Sequence, residues 1–262
     1  MSLIPPFHQS GSKGRPALAV ALLLWAIALT MSVGAHAANV NVAVAANFTE
    51  PAREIAQLFQ SKTANRAILS FGATGQFYTQ ITQAAPFQVF LSADESTPKK
   101  LADNGFAVVE SLFTYAIGKL VLFSTNATLV TGEQTLRDAK FNKIAIADPA
   151  TAPYGGAAVE TMKALGLYDA LSGKIVQGAN IAQTFQFVDT GNAELGFVAL
   201  SQVIARPGGS RWIVPANLYG AIRQDAVLLR SGVGNEAAKA FLAFMKGPEA
   251  VKVIEKYGYA RP

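Results

Sequence analysis

Residues 67–84 constrain the fold more than any other part of the sequence. Their pattern predicts a β-strand, a glycine turn and the beginning of a helix, in that order. Residues 67–70 are mostly apolar and predict a strand, and the segment Phe71-Gly72-Ala73-Thr74-Gly75-Gln76-Phe77 predicts a tight turn. A helix that begins there leaves backbone N–H groups without internal partners and carries partial positive charge at its start. The turn therefore predicts either an anion site or an ordinary strand–helix connection in which Thr74 caps the helix.

The same order recurs along the chain. A strand at residues 40–45 leads through Asn47 to a helix over 51–59, and a strand at 87–92 leads to a helix that opens at Thr97-Pro98. Such alternation predicts an α/β fold with mostly parallel sheets and right-handed crossovers. Ligands bind at the carboxyl ends of the strands in these sheets, which is where Asn47 and the glycine turn lie.

Two later turns repeat the pattern. A strand at 144–147 precedes a loop of two prolines and two glycines that contains Tyr154, at the start of a further helix. Asn180 is a favourable N-cap for the next helix, which would place the N–H of Ile181 at a helix start. Taken alone, Tyr154 and Asn180 are equally well explained as ordinary packing and capping residues.

The residue composition excludes several kinds of catalysis. The chain has no cysteine, and its two histidines, His8 and His36, both precede residue 38. Residues 38–262 therefore lack the groups needed for Ser-His-Asp catalysis, for a thiolate nucleophile and for a zinc site built on cysteine or histidine.

The first 37 residues have the order of a secretory signal peptide. Lys13 and Arg15 precede an almost wholly apolar segment at 17–33, and Ala35-His36-Ala37 is a small-x-small cleavage site. We predict removal after Ala37, with a retained membrane anchor as the alternative. The formal net charge is +5, and the basic residues are scattered, which argues against nucleic-acid binding.

Six segments together resemble the periplasmic molybdate-binding proteins of ABC transporters, within the bacterial solute-binding proteins. The resemblance runs from about Val40 to the C-terminus. The segments are Val42-Ala43-Val44-Ala45-Ala46-Asn47-Phe48, Phe71-Gly72-Ala73-Thr74-Gly75, Ala85-Pro86-Phe87 with Phe90-Leu91-Ser92-Ala93-Asp94, Ala152-Pro153-Tyr154-Gly155, Leu195-Gly196-Phe197-Val198-Ala199 and Lys246-Gly247-Pro248.

The resemblance implies a bilobed α/β periplasmic-binding-protein fold of type II, whose lobes are joined by a two-stranded hinge. We place the crossings near Tyr115 and Val214, so that one lobe is 38–115 plus 215–262 and the other is 116–214. It further implies a tetrahedral dianion, molybdate or tungstate, held between the lobes by neutral donors. Carried over residue by residue, the ligand site is Asn47, Ala73, Thr74, Tyr154 and Ile181.

Two positions depart from other members of the family. Some have serine where Ala73 lies, so Ala73 can offer only its N–H. Some place a tyrosine where this chain has Ala199, a role that Tyr154 can take. The resemblance also implies a monomer in the periplasm that delivers its ligand to a membrane permease and is not an enzyme. It uses no cofactor and no directly coordinated metal.

Other functions remain open at this stage. A phosphate site needs an acceptor for the proton of the ligand, and none of the five residues is a carboxylate, which favours molybdate, tungstate or sulfate. The alternative to a binding protein is an enzyme, a hydrolase that uses a carboxylate pair among Asp94, Glu95 and Asp148. The spacing of these carboxylates does not require it, because Asp94 also fits a helix cap and Asp148 a turn.

Overall fold

The computed structural model describes residues 1–6 and 38–262. The chain divides into two units at Ala37, and every strand and helix of the described residues belongs to the second. Residues 1–6 are exposed and form neither helix nor strand. The predicted signal peptide falls mostly on residues 7–37 and so lies outside the described residues. Within the described residues, no helix has the length and apolar character needed to cross a bilayer.

The first of two five-stranded sheets has the order β2-β1-β3-β10-β4. Strands β1 to β4 run in one direction, and β10 runs against both of its neighbours. Apolar residues alternate in the first half of β1, and the strand is fully buried from Val42 onward, as expected for a central strand. The strands are β1 Asn39–Ala45, β2 Arg66–Gly72, β3 Val89–Leu91, β4 Phe113–Gly118 and β10 Ile222–Leu228.

The second sheet repeats this arrangement, with the order β7-β6-β8-β5-β9. Four of its strands are parallel to one another, and β5 is antiparallel to both neighbours. The strands are β5 Leu120–Ser124, β6 Ile144–Ala147, β7 Ile175–Gly178, β8 Leu195–Ala199 and β9 Ser210–Ile213. In each sheet the one reversed strand is the strand that the chain enters directly after crossing from the other sheet.

Helices pack on both sheets, and we call each sheet with its helices a lobe. The first lobe contains α1 Thr49–Thr63, α2 Thr74–Thr82, α3 Ser96–Asp103, α9 Glu236–Met245 and α10 Pro248–Lys256. The second contains α4 Gln134–Asp138, α5 Pro153–Ala164, α6 Tyr168–Ser172, α7 Ile181–Asp189 and α8 Leu200–Val203.

Each lobe has its own apolar core. In the first, the rings of Phe59 and Phe241 meet edge to face with centroids 5.2 Å apart, which joins α1 to α9 under the sheet. In the second, Leu122, Phe197 and Met162 are fully buried between the sheet and α5. The second cluster also includes Ala45, Ala46 and Ala73 of the first lobe, so the two lobes are packed against each other at this point.

The chain passes between the sheets twice. Lys119 alone separates β4 from β5, and residues 214–221 connect β9 to β10. The lobe boundaries expected near Tyr115 and Val214 stay a prediction, because sheet membership does not locate the hinge about which two lobes turn.

Candidate functional site

A small cavity lies between the lobes, at the ends of strands from both sheets. The volume within it that the centre of a water molecule can occupy is about 10 Å³. Its wall comes from the end of β1, from the β2–α2 turn, and from the starts of α5 and α7. The lining residues are Ala45, Ala46, Gly72, Ala73, Thr74, Ala152, Pro153, Tyr154, Asn180 and Ile181. Among these described residues, none carries a charge.

Three helices begin at this cavity. They are α2, which begins at Thr74, α5, which begins at Pro153, and α7, which begins at Ile181. The N–H groups in the first turn of a helix have no intrahelical acceptor, and the helix dipole places partial positive charge there. The first lobe supplies one of these helix starts and the second lobe supplies two. Together they make an electropositive site without a positive side chain.

The start of α7 shows how one N–H group is left for a ligand. The Asn180 side chain caps the helix, because its Oδ1 accepts hydrogen bonds of 3.0 Å from the N–H groups of Ala182 and Gln183. The N–H of Ile181 precedes these two and has no acceptor within the helix. The structure therefore confirms Asn180 as the cap and places the predicted ligand Ile181 at the cavity.

Thr74 offers a second donor. It is buried, and its Oγ1 accepts a hydrogen bond from the N–H of Ala93 at 3.1 Å. Because that oxygen already accepts from the backbone, the hydroxyl hydrogen is left to donate elsewhere. Thr74 is the first residue of α2, and Ala73 holds the N-cap position instead. The interpretation of Thr74 as the cap was therefore wrong, although the residue does line the cavity.

Ala73 forms part of the wall, but its N–H is engaged. It donates to Oε1 of Gln76 at 3.2 Å, within the same turn. The extended backbone of Ala73, with φ −76° and ψ 148°, is typical of an N-cap residue. Its N–H would have to leave Gln76 in order to bind a ligand, so the role predicted for Ala73 stays a prediction.

Tyr154 meets the cavity through the first turn of α5, while its side chain is buried beneath it. The hydroxyl accepts a hydrogen bond from Nε2 of Gln224 at 3.2 Å. Burial raises the pKa of Tyr154 well above its ordinary value, and the neighbouring Tyr259 and Tyr115 add to this effect. The hydroxyl therefore stays neutral at physiological pH.

Asn47 is close to the cavity but is not among the residues that line it. Its Nδ2 donates to Oε1 of Gln224 at 2.9 Å and to the hydroxyl of Tyr259 at 3.0 Å. Both amide hydrogens are thus used inside the protein, and the adjacent Ala45 and Ala46 form the wall. A direct bond from Asn47 to a ligand stays a prediction.

Sequence reasoning missed Gln224, which contacts both Asn47 and Tyr154. Its position in β10 does indicate a special role. Ile222, Gln224 and Ala226 alternate with more exposed neighbours, and Gln224 is the one polar residue on that buried face of the strand. A fully buried glutamine requires partners for its amide group, and these partners identify the residues around the site.

The carboxylates considered for hydrolysis have structural partners. Asp94 accepts the N–H of Thr97, in the first turn of α3, at 2.7 Å. Burial raises the pKa of Asp94, and the hydrogen bonds from Thr97 act in the opposite direction. Asp148 accepts the N–H of Ala150 and the hydroxyl of Thr151, both at 3.0 Å, within one turn. The described residues contain no group of three His, Cys, Asp or Glu side chains that could hold a metal ion.

The two lobes are in contact around the cavity. The N–H of Gly75 in the first lobe donates to the carbonyl of Thr151 in the second at 2.9 Å. On another side, the Ser201 hydroxyl in the second lobe donates to the carbonyl of Asn47 at 2.8 Å. These bonds join the walls of the cavity, as expected of a closed state in which a bound ion is shielded from water.

Replacing Gly75 by alanine is expected to weaken ligand binding by about five- to tenfold. A Cβ at this position would lie 3.1 Å from Cα of Thr151, so the lobes could not approach as closely. Gly156→Ala is the matched control, because a Cβ there meets no atom of the described residues within 4 Å. Stopped-flow measurement should show faster ligand release for the Gly75 variant alone. Equal release rates in both variants would contradict the closure contact.

Comparisons with known proteins show the family to which this chain belongs. A family model described as bacterial extracellular solute-binding protein matches residues 40–260. The molybdate-binding protein ModA of Rhodobacter capsulatus is 53% identical over 234 residues, which cover 89% of this chain and 93% of that protein. ModA of Azotobacter vinelandii is also 53% identical, over 87% of this chain and 92% of its own length.

A solved structure shows the same fold. The periplasmic molybdate-binding protein of Azotobacter vinelandii superposes with a TM-score of 0.83 and 41% identity. The superposition covers 85% of this chain and 99% of the solved chain. This likeness confirms the predicted α/β fold with two lobes.

Proposed function

Because this chain belongs to the family of bacterial extracellular solute-binding proteins, we propose that it binds molybdate in the cavity between its lobes. Tungstate, which has nearly the same size and charge, is the equivalent ligand. The relatives from Rhodobacter capsulatus and Azotobacter vinelandii are molybdate-binding proteins, which supports molybdate as the cargo. Other relatives that match over most of the chain carry the same name, including the protein of Escherichia coli at 26% identity.

The observation that carries the proposal is the meeting of three helix starts at an uncharged cavity. A buried dianion is stabilised when preorganised N–H and O–H dipoles replace its hydration shell. The first-turn N–H groups of α2, α5 and α7 and the hydroxyl of Thr74 can supply such dipoles. The donors come from both lobes, so the ion completes the contact between them, and its binding favours the closed state.

The same lining argues against phosphate. At neutral pH phosphate carries a proton, and a site that binds it must offer an acceptor. Among the described residues that line the cavity there is no carboxylate, and the hydroxyl oxygen of Thr74 already accepts from Ala93. A fully deprotonated oxyanion fits this donor set. Sulfate meets the same condition, and size is then the property that separates it from molybdate.

The chain is proposed to act outside the cytoplasm, as the family description implies, and to deliver its ligand to the permease of an ABC transporter. A monomer with two hinged lobes suffices for this task. We propose that residues 1–37 direct export and are then removed. The relatives are solute-binding proteins of transport systems, and the site is accordingly assigned to binding without a chemical step.

Molybdate is expected to raise the melting temperature of the purified protein by roughly 5–10 °C at a hundredfold excess over Kd. The estimate follows from about 2.7 kcal/mol of linked stabilisation at that excess and from the size of the chain. Differential scanning fluorimetry with molybdate, tungstate, sulfate and phosphate at equal concentrations makes the comparison. Phosphate should leave the transition unchanged. A protein that responds to phosphate as strongly as to molybdate, or to none of the four, would contradict the proposed ligand.

A further inference from the structure

Gln224 is the centre of a buried hydrogen-bond network that lies beneath the cavity. The residue has no exposed surface and sits in β10, just after the chain returns to the first sheet. Its Oε1 accepts from Nδ2 of Asn47 at 2.9 Å and from the hydroxyl of Tyr115 at 3.1 Å. Its Nε2 donates to the hydroxyl of Tyr154 at 3.2 Å. One side chain therefore bonds to three others.

These partners belong to different walls of the site. Asn47 follows β1 in the first lobe and is adjacent to Ala45 and Ala46, which line the cavity. Tyr154 lies in the first turn of α5, in the second lobe, and lines the cavity itself. Gln224 thus connects the β1 wall to the α5 wall through a single side chain.

The surrounding backbone is shaped to admit this contact. A Cβ on Gly118, at the end of β4, would lie 2.1 Å from the hydroxyl of Tyr154 and 2.6 Å from Nε2 of Gln224. Only glycine leaves room for the two groups to meet there. In addition, the pairing of β10 with β4 shifts its register between Gln224 and Asp225, a bulge of the kind that re-aims side chains near functional sites.

We propose that Gln224 is a positioning residue of the oxyanion site, which fixes the β1 wall and the first turn of α5 at the separation that fits molybdate. This inference rests on the proposed function. Gln224 does not line the cavity, so it acts through Asn47 and Tyr154 and makes no bond to the ion. A rigid separation matters because molybdate and sulfate share charge and shape and differ mainly in size, so a looser site discriminates less between them.

The network also holds the backbone of Asn47 in place. Tyr259 donates to the carbonyl of Asn47 at 2.8 Å, and the Ser201 hydroxyl donates to the same carbonyl. With its side chain held by Gln224 and Tyr259, Asn47 sets the path of the short 3₁₀ segment Ala46–Phe48. The network therefore orients the backbone beside the cavity.

The test compares Gln224→Met, Tyr154→Phe and the double variant with the wild-type protein. Methionine keeps the length of the side chain and removes both hydrogen-bonding groups, while phenylalanine removes only the hydroxyl that Gln224 holds. Ser124→Ala is the control for stability, because Ser124 is fully buried in the second lobe and bonds to Glu194 and Asn126, outside the cavity. Isothermal titration with molybdate and with sulfate gives Kd for each anion, and thermal melting gives stability.

We expect Gln224→Met to weaken molybdate binding by about 10- to 100-fold, as removal of a supporting partner does at other ion sites. The preference for molybdate over sulfate should shrink in the same variant, and the effects of the two single changes should not add in the double variant. Ser124→Ala should lower the melting temperature and leave both Kd values unchanged.

Additive effects in the double variant, or equal losses for both anions, would overturn the positioning role. If Gln224→Met does not fold, Tyr154→Phe is compared with the wild-type protein instead. An unchanged preference for molybdate over sulfate in Tyr154→Phe would also overturn the positioning role. Failure of the wild-type protein to bind molybdate would instead refute the proposed function, so the two failures are distinguishable.

Discussion

Replacing Ala73 by aspartate is expected to abolish molybdate binding while leaving the protein at least as stable as before. Ala73 is the N-cap of α2 and lines the cavity, and aspartate is among the best N-cap residues. Its carboxylate would therefore occupy the site of the dianion as a tethered anion. Two unit charges 4 Å apart repel by about 4 kcal/mol at the effective dielectric of protein sites, so the loss should reach at least about a thousandfold.

Ala73→Ser is the matched control for this prediction. Serine caps a helix about as well as aspartate does and adds a neutral hydroxyl in place of the charge. Titration calorimetry should show binding retained in the serine variant and no detectable heat in the aspartate variant, whose melting temperature should no longer respond to molybdate. If the aspartate variant bound molybdate with wild-type affinity, the anion would have to lie away from this cavity.

Replacing Ile181 by proline is expected to weaken molybdate binding by roughly 10- to 150-fold relative to Ile181→Ala. Proline is well tolerated at the first position of a helix and removes only the N–H group there. Asn180 is already extended, with φ −158° and ψ 175°, as a residue before proline should be. Both variants lose the buried isoleucine side chain, so the difference between them isolates one N–H donor to a charged ligand.

Calorimetric Kd values for the two variants, with melting temperatures measured alongside, make this comparison. Similar melting temperatures would show that α7 forms in both proteins. Equal affinities in that case would mean that the N–H of Ile181 does not bind the ion, and the assignment of α7 to the site would be withdrawn.

The order of strands and helices could be predicted because each local pattern agrees with the final fold. Strands β1, β2 and β6 lie where apolar alternation or short apolar segments predict them, and α7 begins after its predicted cap, Asn180. The ligand positions Thr74, Tyr154 and Ile181 could be placed at the cavity because helix starts after strands can be located from turn chemistry.

Three element boundaries differ from what the local sequence predicts. The apolar segment at residues 195–200 predicts a strand throughout, but α8 begins at Leu200, directly after β8. The position of Thr49 just before Pro51 predicts an N-cap, but its hydroxyl donates to the carbonyl of Ala46, and Ala46–Phe48 forms a 3₁₀ segment instead. The apolar residues 226–229 predict the start of the last strand, but β10 begins four residues earlier, and polar residues occupy its first half.

The network below the cavity could not be predicted from local sequence. Gln224 bonds to Tyr154, 70 residues away, and to Asn47, 177 residues away. Turn chemistry and periodicity carry no information on contacts at such separations. The hydrogen bonds that join Asn47 and Tyr154 to Gln224 therefore became visible only in three dimensions.

The central claim is that neutral dipoles from both lobes hold a doubly charged oxyanion. Anomalous diffraction from crystals grown with tungstate tests it most directly, since tungsten marks the position of the ion. We predict one strong peak between the starts of α2, α5 and α7, with tungstate oxygens within hydrogen-bond distance of the N–H groups of Thr74, Tyr154 and Ile181. A peak held by lysine or arginine side chains, or one outside this cavity, would contradict the account.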